Sequence, residues 1–345
     1  MNLYNRRSIT KAMGYFLLAI ASGCTATNSA SVTTSSPAST ATTATNAPAK
    51  SQNTAKAKVI RIGVSKFGAM LNALREKGTL EKSLSALGVS LEWKEFIAGP
   101  QLMEALAVGT IDLTYTGEPP PIFAQANGTP VVYLANEKLG VASVAVLVPK
   151  DSDIKGVADL KGKRVAISKA TNSQYIVIRA LETVGLTFND ITPVYLTPSD
   201  GRIAFEGGKV DAWSTWDPFQ AAAEQALGAK ILFDGKGFLP NTGYYLSTKS
   251  FADNNAETIA VILKQVEEIN DWAAKNPRAV AELLSPKYGV SVEVLEIVEK
   301  RREHGFQPID EKVIAEQQRI ADVFLKEKVL PKPVIVKEAI WKPKS

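Results

Sequence analysis

The chain has 345 residues, of which 45% are hydrophobic and 22% are charged, so it can bury a core large enough for more than one lobe. The formal net charge is +5, but three basic residues precede Cys24, which leaves 37 of the 40 basic side chains against 35 acidic ones. The remainder is therefore nearly neutral and has no run of like charges, and this composition argues against a nucleic-acid partner.

The N-terminal residues have the pattern of an export signal. A basic stretch, NRRSITK (5–11), is followed by an apolar stretch over 12–21. About ten apolar residues are too few to span a bilayer, which needs about 20. We therefore expect residues 1–23 to be a signal peptide. The basic stretch also resembles a twin-arginine signal, so the export route stays open.

Cys24 is the single cysteine and cannot form a disulfide within the chain. It is either a free thiol or the acylated residue of a lipoprotein box, ASGC, in which Ala21 stands where leucine is usual. The segment that it opens, 24–57, is rich in Ser, Thr, Ala, Asn and Pro and predicts a low-complexity tether. We expect a lipid-anchored protein in the periplasm or at the outer face of the cytoplasmic membrane.

The folded part begins with short apolar or alternating stretches that predict ten strands. They lie at 59–65, 90–96, 111–116, 130–136, 143–149, 164–168, 191–196, 210–216, 229–234 and 244–248. Helical patterns occupy 100–108, 173–184 and 217–227, and each is followed by a glycine of the kind that often ends a helix. Strands that alternate with helices predict an α/β protein with parallel sheets.

The pattern changes twice more along the chain. A polar, turn-rich segment over 148–168 predicts a change of lobe, and from residue 255 to about 328 the pattern is helical. We expect residues 58–148 and 247–345 to form one lobe, and residues 149–246 to form a second lobe inserted into it. Ligands of open α/β sheets bind beyond the carboxyl ends of the strands, which predicts a cleft between the lobes.

Several kinds of chemistry are disfavoured. His304 is the only histidine, and its position in KRREHG predicts that it complements a helix dipole or is solvated. One histidine argues against a Ser-His-Asp or Cys-His catalytic arrangement and against a multi-histidine metal site. The sequence has no P-loop and no GxGxxG. We expect no enzymatic activity, no metal and no cofactor.

Four turns follow predicted strands and open predicted helices. They are SKFG (65–68), TGEPPP (116–121), SKATNSQY (168–175) and WSTWDPF (213–219). In the second of these turns the prolines have no N–H group, so the free donors are the amides of Thr116, Gly117 and Glu118. A stiff turn of this kind predicts amides that are already aimed before a ligand arrives.

The last two of these helix openings supply donors of the same kind. Thr171, Asn172 and Ser173 are favourable N-cap residues, and the pair Asp217-Pro218 predicts an N-cap followed by the first helical position. Ordinary capping explains each turn alone. Several such turns facing one cleft would form an anion site made of neutral donors.

Two tryptophans accompany the last of these turns. Trp213 and Trp216 are three residues apart on a strand and its exit, so their side chains point in different directions. Packing in the core accounts for either of them. We expect one to be core and Trp216 to be the better candidate for a cleft wall.

Four segments together resemble the aliphatic sulfonate-binding proteins of ABC importers. They are LEWKEFIAGPQLMEALAVGTIDLTYTGEPPPIFAQA, VPKDSDIKGVADLKGKRVAISKATNSQYIVIRALETVGL, VYLTPSDGRIAFEGGKVDAWSTWDPFQAAAE and TGYYLST. The resemblance covers 58 to about 325. It implies a two-lobed, type II periplasmic binding protein, a monomer that closes by a hinge over a sulfonate and delivers it to an ABC permease.

The resemblance also implies a set of ligand-binding residues. Carried over by motif, these are Ser65, Lys66, Gly117, Glu118, Thr171, Asn172, Trp216, Asp217 and Tyr244. The family often has Gln-Lys at 65–66, Gly-Ser-Asn at 170–172, Asp at 118 and apolar residues at 214–215. These departures bear on the size of the ligand more than on its class.

The chemistry of a sulfonate agrees with neutral donors. It is a strong acid that stays monoanionic, and its three oxygens suit several converging N–H and O–H groups, without full neutralisation by arginine. Glu118 is an awkward neighbour for an anion, and we expect it to cap the proline turn or to contact the tail of the ligand. Taurine, nitrate, bicarbonate and a pyrimidine remain alternative ligands. A pyrimidine-forming enzyme and a sensor remain alternative functions.

Overall fold

The computed structural model describes residues 57–343, so the predicted signal peptide, Cys24 and nearly all of the predicted tether lie outside the described residues. The described strands are β1 Val59–Ser65, β2 Ser90–Phe96, β3 Leu113–Thr116, β4 Val131–Lys138, β5 Val144–Val148, β6 Arg164–Ile167, β7 Thr192–Tyr195, β8 Ala212–Trp216, β9 Lys230–Asp234, β10 Thr242–Thr248 and β11 Phe306–Gln307. The described α-helices are α1 Ala69–Lys77, α2 Thr79–Ser85, α3 Gly99–Ala107, α4 Pro119–Ala126, α5 Asn172–Thr183, α6 Pro198–Glu206, α7 Phe219–Leu227, α8 Lys249–Asn254, α9 Ala256–Lys275, α10 Pro277–Tyr288, α11 Val292–Arg301 and α12 Glu311–Lys326.

The predicted elements are confirmed almost throughout. All ten predicted strands are present, and β1 and β2 have the predicted bounds. The predicted C-terminal run of helices is α9 to α12. One helix begins later than expected: α7 starts at Phe219, and Asp217 is not its N-cap. The amide of Asp217 donates instead to the carbonyl of Ser143, at 2.9 Å, in the connection that precedes β5.

The strands form two sheets, ordered β11-β4-β10-β3-β1-β2 and β7-β6-β8-β5-β9. The predicted α/β class is confirmed, and the predicted parallel pairing holds for part of each sheet. Strand β1 pairs in parallel with β2 and β3, and β6 pairs in parallel with β7 and β8. Strands β5 and β10 run antiparallel to both of their neighbours. Strand β5 follows β4 of the first sheet, and β10 follows β9 of the second. Neither connection contains the crossover α-helix that usually joins successive parallel strands of one sheet.

The two sheets share one topology. Strands β6, β7, β8 and β9 occupy the same places in the second sheet as β1, β2, β3 and β4 in the first, and β5 corresponds to β10. In each sheet, the strand that runs antiparallel to its neighbours is therefore the one that directly follows a connection from the other sheet. The sequence shows no repeat that corresponds to this symmetry.

Two connections join the strands of one sheet to those of the other, at 139–143 and 235–241. The second sheet therefore begins with β5, a few residues before the turn at 148 where we expected the change of lobe. The connections are bonded to each other. Leu139 donates its N–H to the carbonyl of Asn241 at 2.9 Å, and the Asn241 side chain donates to Ser143 Oγ at 2.9 Å.

Helix α12 packs against both α4, which follows a strand of the first sheet, and α5, which follows a strand of the second. The ring of Phe324 lies 5.2 Å from that of Phe123 on α4 and 5.7 Å from that of Tyr175 on α5. Its apolar face joins a buried cluster that contains residues of both helices. Within residues 57–343, no helix has the length and apolar character needed to cross a membrane.

Candidate ligand-binding cleft

A cavity of about 140 Å³ lies between the two sheets and is lined by residues from both. Ser65 ends β1, Thr116 ends β3 and Gly117 follows it, Thr171 and Asn172 open α5, and Trp216 ends β8. All of these positions follow the carboxyl ends of strands or open the next helix. The cavity therefore lies where the α/β topology predicts a ligand.

The wall on the side of the first sheet is built around the turn before α4. Pro119, Pro120 and Pro121 form the first turn of that helix and are buried. The Gly117 N–H has no hydrogen-bond partner in residues 57–343. Gly99 packs closely beneath this turn, because a Cβ there would lie 2.1 Å from Thr116 Oγ1. The turn thus presents a free donor on a tightly packed support.

The opposite wall is the N-terminus of α5. Thr171 is its N-cap residue, with extended backbone, and its hydroxyl donates to the carbonyl of Ser168 at 2.7 Å. The backbone N–H of Asn172 belongs to the first helical turn and has no partner among the described residues. Its position at the positive end of a 12-residue helix favours an anion.

Glu118 lies behind the cavity rather than in it. The carboxylate is fully buried and accepts hydrogen bonds from the side chain of Asn172 and from the N–H of Thr242. Burial raises the pKa of Glu118 to about 7, although these donors act in the opposite direction. Glu118 occupies the N-cap position of α4, as expected, but its side chain makes no cap hydrogen bond there. The carboxylate bonds instead across to α5 and to the start of β10.

The two tryptophans have different environments. Trp213 is 1% exposed and packs in the core of the second sheet, while Trp216 lines the cavity. Asp217, the next residue, also lines it, and its Oδ1 accepts the N–H of Ala221 at 3.0 Å. Burial raises the pKa of Asp217 to about 6, and the nearby guanidinium of Arg301, at 3.3 Å, opposes that rise.

The predicted site residues therefore separate into two groups. Those that line the cavity are Ser65, Gly117, Thr171, Asn172, Trp216 and Asp217. Lys66, Glu118 and Tyr244 do not line it. Lys66 is exposed, and its amide donates to the carbonyl of Phe96 at 3.0 Å. Tyr244 is 1% exposed, and its ring packs 5.0 Å from that of Tyr133.

Arg302 is a lining residue that the sequence analysis missed. Its guanidinium lies 3.6 Å from Glu137 and 3.5 Å from Glu299, so two buried carboxylates hold a cation beside the cavity. Nothing in the charged run KRREHG distinguishes it from a solvated arginine. Burial and Arg302 together lower the pKa of His304 to about 4. His304 is therefore neutral near pH 7, and the prediction that it complements a helix dipole or is solvated is wrong.

Aromatic rings close the cavity on one side. Phe67, from the turn after β1, meets Phe219, at the start of α7, in an edge-to-face contact with ring centres 4.9 Å apart. The walls thus combine neutral donors, apolar rings, the guanidinium of Arg302 and the carboxylate of Asp217, which is paired with Arg301. No group of three or more His, Cys, Asp or Glu side chains that could hold a metal occurs in residues 57–343. This arrangement suits a small anion with an apolar part.

Two α/β halves of the same strand order, joined by two connections and facing each other across a cleft, define a two-lobed periplasmic binding protein fold of type II. Two solved structures share it. The alkanesulfonate-binding protein SsuA from Xanthomonas axonopodis pv. citri, bound to MOPS, is 34% identical with a TM-score of 0.80, over 83% of this chain and 99% of that one. The periplasmic aliphatic sulphonate binding protein SsuA from Escherichia coli is 37% identical with a TM-score of 0.77, over 83% and 93%.

The sequence comparisons agree with the structural ones. The family model described as NMT1/THI5 like matches residues 85–280. A relative from Escherichia coli K12, provisionally named an aliphatic sulfonates-binding protein, is 38% identical over 287 residues, which is 83% of this chain and 89% of that protein. The chain belongs to the NMT1/THI5-like family, and the predicted resemblance to aliphatic sulfonate-binding proteins is confirmed.

Proposed function

We propose that this protein is the solute-binding component of an ABC importer and that it captures aliphatic sulfonates. One observation carries the proposal: Ser65, Gly117 and Asn172 line one cavity, and within residues 57–343 the hydroxyl of Ser65 and the N–H groups of Gly117 and Asn172 have no hydrogen-bond partner. The names of the relatives at 34–38% identity support the same ligand class. They also support a binding role rather than an enzymatic one.

The chemistry of the cavity favours a sulfonate head with an apolar tail. A sulfonate remains a monoanion across the physiological pH range, so it needs hydrogen-bond donors and no proton acceptor. The free amides of Gly117 and Asn172 supply such donors, and the first turn of α5 adds its positive potential. The rings of Phe67, Trp216 and Phe219 offer an apolar surface to the tail. Ser65, Thr171 and Asp217 complete the proposed binding set.

Closure of the two lobes would complete the site. We propose lobes of residues 58–138 with 242–343, and of residues 144–234, which hinge at the two connections. Arg301 belongs to the first lobe and pairs with Asp217 and Glu224 of the second. With the contact between Phe67 and Phe219, these ion pairs would favour the closed form. A ligand drives closure only by the extra affinity that it has for that form.

The proposed function implies a location and partners. We propose export to the periplasm and lipid attachment at Cys24, with residues 25–57 as the tether. The partner would be the membrane permease of the importer, and the protein would act as a monomer without a cofactor.

The test is thermal unfolding of residues 58–345 with a ligand panel. The panel holds methane-, ethane- and hexanesulfonate, taurine, a zwitterionic sulfonate buffer, nitrate, bicarbonate and a pyrimidine. A ligand at 100 times its Kd adds about 2.7 kcal/mol to the free energy of unfolding, which for a body of this size is a shift of several degrees. We expect the shift from alkanesulfonates. A shift from nitrate or bicarbonate alone would retain a transport role and overturn the proposed substrate.

A further inference from the structure

A second cavity, of about 180 Å³, lies apart from the cleft and shares no lining residue with it. We call it the rear pocket. Its walls come from α5, from the connection between β9 and β10, and from α12. The lining residues are Tyr175, Arg179, Gly237, Phe238, Leu239, Pro240, Glu316 and Arg319.

Tyr175 gives the rear pocket an unused hydrogen-bond donor. The residue is 3% exposed, and its hydroxyl has no hydrogen-bond partner in residues 57–343. The ring is buried, but the hydroxyl oxygen remains accessible to water, so it is available to donate to a ligand in the pocket. Burial raises the pKa of Tyr175 to about 12, while Arg179 and Arg319 act to lower it. The hydroxyl is therefore protonated near neutral pH and lies within the field of two guanidinium groups.

Charged groups of both signs surround the pocket. Arg319 is exposed and forms no hydrogen bond or ion pair within the described part of the chain. Arg179 pairs with Glu182, which also accepts Lys326 at 2.7 Å. Glu316 is the one carboxylate in the lining, and it lies within 4.0 Å of neither arginine's nitrogens. With Glu118, whose charge also acts on Tyr175, three cations lie near three carboxylates, and Arg319 is the cation among them that has no partner in residues 57–343.

We propose that the rear pocket is a second binding site, for a small oxyanion such as inorganic phosphate. The hydroxyl of Tyr175 and the unpaired guanidinium of Arg319 donate to its oxygens, and Arg179 adds positive charge. The planar guanidinium of arginine can donate two parallel hydrogen bonds to a carboxylate or phosphate group. A cation in this pocket would instead be repelled by two guanidinium groups. Glu316 limits the affinity through like-charge repulsion.

The test is calorimetric titration of the mature chain with inorganic phosphate at constant ionic strength. The variants are Tyr175→Phe, Arg319→Gln and Glu316→Gln, and Arg202→Gln on α6 controls for the loss of one positive charge far from the pocket. We expect Tyr175→Phe and Arg319→Gln each to weaken binding by about tenfold. Glu316→Gln should strengthen it several-fold, a gain that a merely structural role would not produce, and Arg202→Gln should leave it unchanged.

Two results would overturn the inference. The first is a wild-type protein that gives no saturable heat with phosphate, or one whose affinity the Arg319 and Tyr175 variants leave unchanged. The second is loss of phosphate binding in the cleft variant Trp216→Ala, which would place the anion in the cleft. Because the two cavities share no lining residue, failure here leaves the proposal for the cleft intact, and failure of sulfonate binding leaves this one intact.

Discussion

The side-chain amide of Asn172 donates a hydrogen bond of 2.5 Å to the buried carboxylate of Glu118. Asn172 opens α5 beside the second sheet, and Glu118 precedes α4 beside the first. The same amide donates to Asn241 Oδ1, at 3.0 Å, in one of the two connections. One side chain therefore ties both walls of the cleft to the hinge, and among the donors of Asn172 the backbone N–H is the one left for a ligand.

Replacing Asn172 with alanine tests this junction. We expect Asn172→Ala to lower the free energy of unfolding by about 1–3 kcal/mol, because it removes one of the donors to a buried carboxylate. Urea unfolding measures the change. Asn254→Ala, at the end of α8, is the matched control, since its amide bonds only to the nearby carbonyl of Ser250. Equal effects of the two substitutions would contradict the role of the junction.

Glu118 predicts a pH dependence of stability. Its pKa is raised from 4.5 to about 7, so between these values the folded protein holds a proton that the unfolded chain has released. The contribution of this group to the free energy of unfolding therefore falls as pH rises from about 4.5 to about 7, by up to about 3 kcal/mol.

The measurement is the difference between the wild type and Glu118→Gln in chemical unfolding from pH 4.5 to 8. The shifted groups Asp217 and His304 are present in both proteins, so their contributions cancel. We expect the stability of the wild type to decline relative to the variant across this range. A constant difference would show that Glu118 titrates normally in the folded protein.

Substitutions of the two tryptophans test core packing and ligand binding separately. Trp213→Ala should cost about 3–5 kcal/mol of stability, because it removes a large side chain from the core. Trp216→Ala should cost less stability and should weaken sulfonate binding by about tenfold or more, because its ring faces the cavity. Denaturant unfolding and calorimetric titration of both variants check the pair. Loss of binding in a stable Trp213 variant, with none in the Trp216 variant, would reverse the assignment.

Arg301 predicts an effect on affinity through closure. It lies at the end of α11 and pairs with Asp217 and Glu224 across the cleft. We expect Arg301→Gln to weaken sulfonate binding by about three- to tenfold, since a partly buried ion pair of the closed form is lost. Lys300→Gln is the control, because Lys300 pairs with Glu296 of its own helix. Similar affinities for both variants, measured by titration, would contradict a closing role for Arg301.

Local patterns predicted the elements of this fold but not their directions. Strand β1 alternates apolar residues between turn signals, and its bounds follow from that period alone. The antiparallel course of β5 and β10 depends on which sheet the preceding strand belongs to, and hydrophobic periodicity carries no such information. The later start of α7 has a similar cause, because a hydrogen bond to the distant Ser143 holds Asp217 outside the helix.

The part of the site that could be predicted is the set of donors whose position depends only on neighbouring residues in the sequence. Gly117 and Asn172 open helices, and helix openings can be recognised from caps and prolines in the sequence. Glu118 could not be placed, because its partners Asn172 and Thr242 are 54 and 124 residues away along the chain. Arg302 could not be distinguished from its charged neighbours, since its burial depends on Glu137 and Glu299 together.

The central claim is that neutral donors from both lobes hold the sulfonate head. A crystal structure with hexanesulfonate, with the sulfur located by anomalous scattering, tests it most directly. We predict sulfonate oxygens within hydrogen-bond distance of the N–H groups of Gly117 and Asn172, with the alkyl chain against Trp216. A sulfur atom located at Arg302, with no oxygen near either amide, would contradict the claim.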